Sequence, residues 1–275
     1  MSQHSKSTMA INLVDRLNVS KSDMTDCTST ADSQASTYSE TYFDALYSDN
    51  SDPWQYQTRW YEKRKRDMCL AVLPQTKYDN AIELGCGNGV FSALLAHRCQ
   101  SLLSIDGNNQ AVQLAKQRLA GRSHVQVIQG VIPEALFRVK NGLSEAYSLS
   151  ESDSAPAHQS PFDLIIISEI LYYLSSDDID TVIDWIKQNL AIGGTLLCCH
   201  WRYAIDGFLM TGETVHERLY QAFDRANSKA DMAKNLQISS THPTFTHQSQ
   251  LVDSDFLLDV WQNTAETVAM QENLV

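Results

Sequence analysis

The chain has 275 residues, 43% of them hydrophobic, and its 33 acidic and 21 basic residues give a formal net charge of −12. This apolar content is sufficient for a packed core in one or two domains. The acidic excess argues against a nucleic-acid partner, because non-specific binding needs clustered Lys and Arg, and no apolar run approaches the roughly 18 residues that span a membrane. The N-terminus has no hydrophobic signal core, so we expect a cytoplasmic protein without a membrane partner.

The first quarter of the chain divides into a polar tail and an aromatic segment. Residues 1–36 are rich in Ser, Thr and Asp and predict a disordered tail. Residues 37–77 are dense in aromatic side chains and predict a cap ahead of the main fold. The cap contains the one basic run, Lys63 to Arg66, which we expect on the solvated face of a helix. The six cysteines show no metal-ligand spacing, so we expect no metal site.

From residue 78 onward, apolar runs alternate with helical patterns. The alternation predicts a parallel sheet with right-handed crossovers. A Ser-rich stretch at 140–161 predicts a surface insertion, and weak alternation near the C-terminus predicts a closing hairpin. The whole of 37–275 is therefore interpreted as one α/β domain, with a doubly wound, mostly parallel seven-stranded sheet that ends in an antiparallel hairpin. The predicted strands are 80–84, 101–105, 124–129, 162–167 and 195–199, the helices are 90–97, 111–119 and 179–190, the hairpin is 249–261, and a turn is expected at Gly193-Gly194.

The most informative segment joins the first strand to the first helix and reads Glu83-Leu84-Gly85-Cys86-Gly87-Asn88-Gly89. Its glycines allow a tight turn and close approach of a ligand to backbone amides at a helix N-terminus. The G-x-G-x-G spacing differs from the dinucleotide fingerprint, and no phosphate-loop Lys follows. Asp106 ends the second strand, where a carboxylate can accept both hydrogens of a ribose diol. The alternative is a loop kept tight for packing, with Asp106 as a helix cap.

The glycine loop resembles motif I of the class I S-adenosylmethionine-dependent methyltransferases. The resemblance implies that the loop packs against the methionyl part of this cofactor, that Asp106 holds the ribose, and that the turn after the third strand flanks the adenine. Val131 stands where many relatives have an acidic residue, so Gln129 or a backbone amide would contact the adenine amino group. The cofactor-binding residues implied in the core are Glu83, Gly85, Cys86, Gly87, Asp106, Gly107, Gln129, Gly130, Val131 and Ser168.

Further segments are similar to the nodulation protein S branch of these enzymes, and the similarity covers roughly residues 40–220. The segments are Asp52-Pro53-Trp54, Arg59 to Lys65, Ser168 to Tyr173, His200-Trp201-Arg202 and Thr211 to His216. The resemblance implies N-methylation of a free amine on a de-N-acetylated chitooligosaccharide or a similar small molecule. Methylation of another small metabolite at oxygen or nitrogen is the alternative. An NAD-dependent oxidoreductase and a non-catalytic cofactor sensor also stay open, and the sequence leaves the oligomeric state undetermined.

Methyl transfer from a sulfonium requires alignment of the acceptor lone pair and, for an amine, loss of a proton. Glu169 and His200 follow the fourth and fifth strands at the carboxyl edge of the sheet, where ligands bind in open α/β folds. We hypothesise that His200 accepts the proton and that Glu169 orients the amine. Each residue also fits an ordinary structural role, and Glu169 could instead contact the cofactor amino group.

The aromatic cap supplies further candidates. A guanidinium at Arg59 suits the methionyl carboxylate, and the Trp54 indole can shield a sulfonium, although a surface Arg and a core Trp fit the same pattern. Aromatic faces suit a sugar ring or another flat acceptor. The residues expected at the edge of the acceptor pocket are Tyr172, Tyr173, Trp201 and His216.

Overall fold

The computed structural model describes residues 40–48, 50–139, 161–223 and 245–275. The predicted tail at 1–36 and all of the predicted insertion except Pro161 lie outside these residues. No helix within the described ranges is both long enough and apolar enough to cross a membrane. The same ranges contain no group of three or more His, Cys, Asp and Glu side chains arranged to hold a metal ion.

A seven-stranded sheet organises the domain, with strand order β3-β2-β1-β4-β5-β7-β6. The first five strands are mutually parallel, and β7 pairs antiparallel with both β5 and β6. This confirms the mostly parallel seven-stranded sheet with its closing antiparallel hairpin. The strands are β1 Tyr78–Leu84, β2 Cys99–Asp106, β3 Val125–Gln129, β4 Phe162–Ser168, β5 Leu190–Trp201, β6 Thr246–Val252 and β7 Phe256–Gln262.

Seven α-helices and two short 3₁₀ turns accompany these strands in the described ranges. The longest helix begins after Ser175, whose hydroxyl accepts a hydrogen bond from the Asp178 N–H, and its isoleucines and valines repeat at helical spacing on the buried face. The helices are α1 Glu40–Ser48, α2 Trp60–Ala71, α3 Val90–Leu95, α4 Asn109–Arg118, α5 Ser176–Asn189, α6 Gly212–Phe223 and α7 Val268–Gln271, and the 3₁₀ turns are Glu134–Phe137 and Leu171–Tyr173.

Apolar side chains cover both faces of the sheet, as expected for parallel strands. One cluster joins α5 and α6 to strand residues such as Ile82 and Ile165. The other joins α2 and α3 to the opposite face through residues such as Ala81 and Ile166. Alternate residues of one strand therefore contribute to different clusters, and the carboxyl ends of β1, β2, β4 and β5 meet at one edge.

Two expectations about local structure are wrong. Gly193 and Gly194 do not end a helix and start a new strand; they lie inside β5, where pairing with β4 shifts register and Gly193 has φ +78°. The extra residues form a bulge that the sequence presents as a turn. The basic run is also only partly solvated, because Lys65 and Arg66 are 3% and 7% exposed on α2.

Candidate active site

The glycine loop turns directly from β1 into α3. The amides of Gly85 and Cys86 both donate to the Ile105 carbonyl, at 2.8 and 2.9 Å, which ties the loop to the end of β2. Gly85 has φ +77°, and a Cβ there would lie 2.9 Å from Cδ1 of Ile170. A side chain at this position would therefore be strained and would collide with the segment after β4. The glycine keeps the loop close to the carboxyl edge.

Asp106 faces this loop from the end of β2. Its carboxylate accepts hydrogen bonds from the Gly87 N–H at 2.7 Å and the Asn108 N–H at 2.9 Å. These two bonds fix the carboxylate beside the loop while its side chain stays partly exposed. A carboxylate has further lone pairs, so it can still accept the two hydroxyls of a diol.

The turn after β3 completes this side of the site. The exposed Gln129 side chain donates to the Gly107 carbonyl at 3.2 Å, and the Gly130 N–H donates to the Asp106 carbonyl at 2.9 Å. A Cβ at Gly130 would lie 2.5 Å from Cβ of Ala135. Val131 is partly buried, and its carbonyl accepts a hydrogen bond from the Ala135 N–H at the start of the next turn. The structure thus brings the predicted adenine-side residues together with Asp106.

The aromatic cap lies against the glycine loop. The Tyr47 hydroxyl and the Tyr56 ring lie within 3.4 Å of the place that a Cβ on Gly87 would occupy, and Trp54 stacks on Tyr56 with ring centroids 5.6 Å apart. The Asn88 side chain donates to the Asp52 carboxylate at 3.2 Å and so holds the cap onto the loop. Sequence reasoning detected the aromatic density but not the particular contribution of Tyr47 and Tyr56.

Two polar groups of the cap are unpaired in a way that suits a ligand. The buried Tyr47 hydroxyl finds no hydrogen-bond partner within the part of the chain that the structure describes. Arg59, partly exposed at the start of α2, likewise makes no side-chain hydrogen bond or ion pair with any described residue. An unpaired buried hydroxyl is costly. A bound ligand would satisfy these groups.

Glu83 and Cys86 point away from the open edge. The Glu83 carboxylate accepts hydrogen bonds from Ser92 on α3 and from Ser104 on β2, and the residue is 2% exposed. Burial raises the pKa of Glu83 to about 7, against the lowering effect of the two hydroxyls. The Cys86 side chain packs in an apolar cluster with Val112 of α4. Their side chains therefore hold the loop in place.

Glu169 lies immediately after β4, beside the partly buried Ser168. Its backbone adopts φ +62°, a left-handed conformation that is uncommon outside glycine and is concentrated at functional sites. The carboxylate accepts hydrogen bonds from Lys65 Nζ at 2.8 Å, from the Trp201 N–H at 3.2 Å and from the Tyr172 hydroxyl. Three donors from three elements hold Glu169 in one orientation.

His200 lies behind this edge, in the core. Its Nε2 accepts the Leu171 N–H at 3.4 Å, and its Nδ1 lies 3.0 Å from Nε2 of His216. The Nδ1 of His216 lies 2.6 Å from the Asp259 carboxylate. Because Nε2 of His200 accepts a hydrogen bond, the Nδ1 of His200 donates to Nε2 of His216, and the Nδ1 of His216 donates to Asp259.

The environment of His200 disfavours the general-base role that the sequence suggested. The residue is fully buried, and both ring nitrogens are occupied. Burial, with contributions from His216 and Lys65, lowers the pKa of His200 well below its usual value. Burial alone would raise the pKa of Asp259, but hydrogen bonds from His216, His247 and Tyr220 lower it to about 2. The series of hydrogen bonds from His200 through His216 to Asp259 fixes the segment that carries Tyr172.

The predicted acceptor residues separate into two groups. One group, Tyr172, Tyr173 and Trp201, lies near Glu169. The ring centroids of the two tyrosines are 4.7 Å apart. Tyr173 also contacts Phe208, which the sequence did not suggest, at 4.8 Å between ring centroids. His216 is 2% exposed and lies behind His200, away from these aromatic rings. Burial, and then the neighbouring Glu169, raises the pKa of Tyr172 well above its usual value.

Comparisons with known proteins agree with this geometry. A family model described as a methyltransferase domain matches residues 82–196. Nodulation protein S of Sinorhizobium fredii is 29% identical over 184 residues, which cover 62% of this chain and 76% of that protein. The protein of the same name from Rhizobium tropici is 29% identical over 53% of this chain, and the chain spans about half (49%) of its length.

A solved structure with a similar fold is that of the N-methyltransferase NodS from Bradyrhizobium japonicum WM9 in complex with S-adenosyl-L-homocysteine. It is 26% identical, with a TM-score of 0.57, and the match covers 82% of this chain and 97% of that chain. Together with the loop and Asp106, these matches define a class I S-adenosylmethionine-dependent methyltransferase. Within that class, the chain is similar to the nodulation protein S enzymes.

The residues of this chain fit the cofactor of that class. Asp106 offers carboxylate oxygens to a diol, Arg59 offers an unpaired guanidinium to a carboxylate, and the Tyr47 hydroxyl lacks a partner among the described residues. Gly87, which has φ +52°, lets the Tyr47 hydroxyl and the Tyr56 ring lie close to the loop. The donor set therefore complements the ribose and the methionyl end of S-adenosylmethionine.

Proposed function

We propose that this protein methylates the free amine of a small molecule or glycan, with an acceptor of the de-N-acetylated chitooligosaccharide type. The observation that carries the proposal is the Tyr172–Glu169 pair at the carboxyl edge. Because Tyr172 donates its proton to Glu169, its oxygen presents lone pairs to an N–H of the acceptor. The naming of the Bradyrhizobium japonicum relative as an N-methyltransferase supports nitrogen as the acceptor atom.

The cofactor-binding roles follow the same logic. Asp106 would bind the ribose hydroxyls, with Gly107, Gln129, Gly130 and Val131 beside the adenine. Arg59 would bind the methionyl carboxylate, and Trp54 with Tyr56 would cover the reacting end. Because Glu83 and Cys86 turn their side chains inward, we assign them a supporting role through the backbone of the loop. S-adenosylmethionine would supply an electrophilic methyl group.

Catalysis rests on alignment and exclusion of water. In-line displacement requires the acceptor nitrogen to approach the methyl carbon with its lone pair free. The new N–C bond forms as the C–S bond breaks, and the electron pair of that bond stays on sulfur. Tyr172 would orient the nitrogen through one of its hydrogens, and Glu169 would hold the Tyr172 hydroxyl in the required orientation. The surplus proton on the product amine leaves to solvent.

His200 has a different part in this proposal from the one expected for a base. Its ring is buried and neutral, and its Nε2 accepts the Leu171 N–H one residue before Tyr172. We therefore assign His200, with His216 behind it, to positioning the 3₁₀ turn that carries the tyrosines. No side chain other than the Glu169–Tyr172 pair is assigned to direct contact with the acceptor nitrogen.

A methyl-release assay tests the proposal. Purified protein is incubated with labelled S-adenosylmethionine and glucosamine oligomers, matched N-acetylated oligomers and simple amines. We expect turnover with the free-amine oligomers and none with the N-acetylated ones, because an amide nitrogen lacks an available lone pair. Mass spectrometry of the product identifies the methylated atom. Transfer to the N-acetylated oligomers, or to hydroxyls alone, would contradict the assignment of an amine acceptor.

A further inference from the structure

A buried lysine lies beside the proposed reaction centre and was not suggested by the sequence. Lys65 is 3% exposed, and its Nζ lies 2.8 Å from the Glu169 carboxylate and 3.1 Å from that of Glu62. Its ammonium group also lies 5.1 Å from the centre of the Tyr61 ring. Burial alone would lower the pKa of Lys65, but the carboxylates of Glu169 and Glu62 raise it well above its usual value. Lys65 is therefore a fixed positive charge inside the site.

The charges around this lysine balance. The ion pairs join two carboxylates, Glu62 and Glu169, to two cationic side chains, Lys65 and Arg66. Burial raises the pKa of Glu62, against the lowering effect of Lys65. The other titratable groups close to the pair come from the cap, from α2, from the turn after β4 and from β5. They are Tyr56, Tyr61, Tyr172, Tyr173, Cys199 and His200. With the carboxylates paired and these groups neutral, the described residues around Glu169 present no uncompensated negative charge to a cation.

We propose that Lys65 is a positioning residue that keeps Glu169 ionised and fixed, so that Glu169 accepts the Tyr172 proton and the site takes its amine acceptor in the uncharged form. The inference rests on the proposed function for its acceptor. A protonated amine has no lone pair, and an unpaired carboxylate would favour that unreactive form. Pairing Glu169 with Lys65 removes this preference while leaving one carboxylate oxygen for Tyr172.

Three variants separate this role from simple structural support. Lys65→Met keeps the length of the side chain and removes its charge, and Lys65→Arg restores the charge. Lys63→Met is the matched control on the same helix, since the Lys63 side chain is 60% exposed. The readouts are kcat and KM for a chitotetraose that carries one free amine, the pH profile of kcat, and the dissociation constant of S-adenosylhomocysteine.

We expect Lys65→Met to lower kcat on the order of 10²-fold and to move the acidic limb of its pH profile to higher pH, because an uncompensated Glu169 binds a proton more readily. Affinity for S-adenosylhomocysteine should stay within about twofold of wild type, because Lys65 is not assigned to cofactor binding. Lys65→Arg should recover most of the rate, and Lys63→Met should behave as wild type. A folded Lys65→Met protein with the wild-type rate and pH profile overturns the proposal.

An acceptor-free measurement keeps this test distinct from that of the proposed function. Carbon-13 NMR of labelled glutamate carboxyls, assigned with Glu169→Gln, follows protonation of Glu169 directly. We expect the titration midpoint of Glu169 to be higher in Lys65→Met than in wild type. Equal midpoints overturn the role of Lys65 even when the glycan amine is methylated. A raised midpoint, together with a wild-type protein that methylates no amine, supports the role of Lys65 and refutes only the proposed acceptor.

Discussion

Replacement of Glu83 by Gln changes the pH dependence of stability in a way that the structure makes quantitative. Glu83 is buried, and its carboxylate accepts hydrogen bonds from Ser92 and Ser104. Burial is the largest cause of a pKa raised from 4.5 to about 7. At about 1.4 kcal/mol per pH unit, this difference corresponds to roughly 3 kcal/mol in the free energy of unfolding.

The sign follows from which state binds the proton more tightly. Because the pKa is higher in the folded protein, the stability associated with neutral Glu83 is complete below pH 4.5 and is lost as the pH rises through about 7. Glu83→Gln keeps the shape of the neutral side chain and cannot ionise. Relative to wild type, the variant should therefore gain about 3 kcal/mol between pH 4.5 and pH 8.5. An added buried N–H lowers the stability of the variant by about 1–3 kcal/mol at every pH.

Urea unfolding followed by circular dichroism at several pH values measures this difference. Glu134→Gln is the matched control, because Glu134 is exposed on the short turn after β3, and its difference from wild type should not vary in the same way. A difference between wild type and Glu83→Gln that stays within about 0.5 kcal/mol from pH 4.5 to 8.5 would refute the reasoning. The carboxyl would then not titrate near neutrality inside the fold.

Three further predictions concern the site. Tyr172→Phe removes the hydroxyl that links the acceptor to Glu169, so kcat should fall on the order of 10²-fold, with unchanged S-adenosylhomocysteine affinity in calorimetry. Tyr203→Phe, at a more exposed ring, is the control. An undiminished kcat in Tyr172→Phe would count against the role of the Tyr172–Glu169 pair. Arg59→Ala should weaken S-adenosylhomocysteine binding by about tenfold or more, with partial recovery in Arg59→Lys, and equal affinities would exclude the carboxylate contact. Because the pKa of His200 is lowered in the folded state, its contribution to stability is complete above about pH 6.5 and is lost as the pH falls below that value. Thermal unfolding should therefore show the gap between wild type and His200→Gln narrowing from pH 7.5 to pH 5, with exposed His97→Gln as control, and a constant gap would contradict the neutral assignment.

Local patterns in the sequence were sufficient for most of the fold. Apolar runs marked β1, β2 and β4 within one or two residues at each end. The bulge at Gly193-Gly194 escaped prediction because two glycines have the same local signature in a turn and in a strand that shifts register. Pairing of β5 with β4, which lies far away in sequence, decided between them.

The candidate site likewise contains some features that the local sequence determines and others that depend on contacts with distant residues. The glycine loop and Asp106 could be recognised because their function depends on backbone conformation and on position at a strand end, and both are local properties. The inward orientation of Glu83 depends on its hydrogen bonds to Ser92 and Ser104, on two other elements. The burial of His200 depends on His216 and on α6, which packs over it.

By itself, then, the sequence determined the strands, several of the helices, the glycine loop and the class of chemistry. Only the tertiary structure decided which charged groups meet. Lys65 and Glu169 are 104 residues apart and lie 2.8 Å from one another. The helical run that contains Lys65 has the composition of a solvated face, and nothing within that run specifies that one of its lysines turns inward. The reason is physical: burial of a charge is tolerable only where an opposite charge compensates it, and that opposite charge comes from the turn after β4.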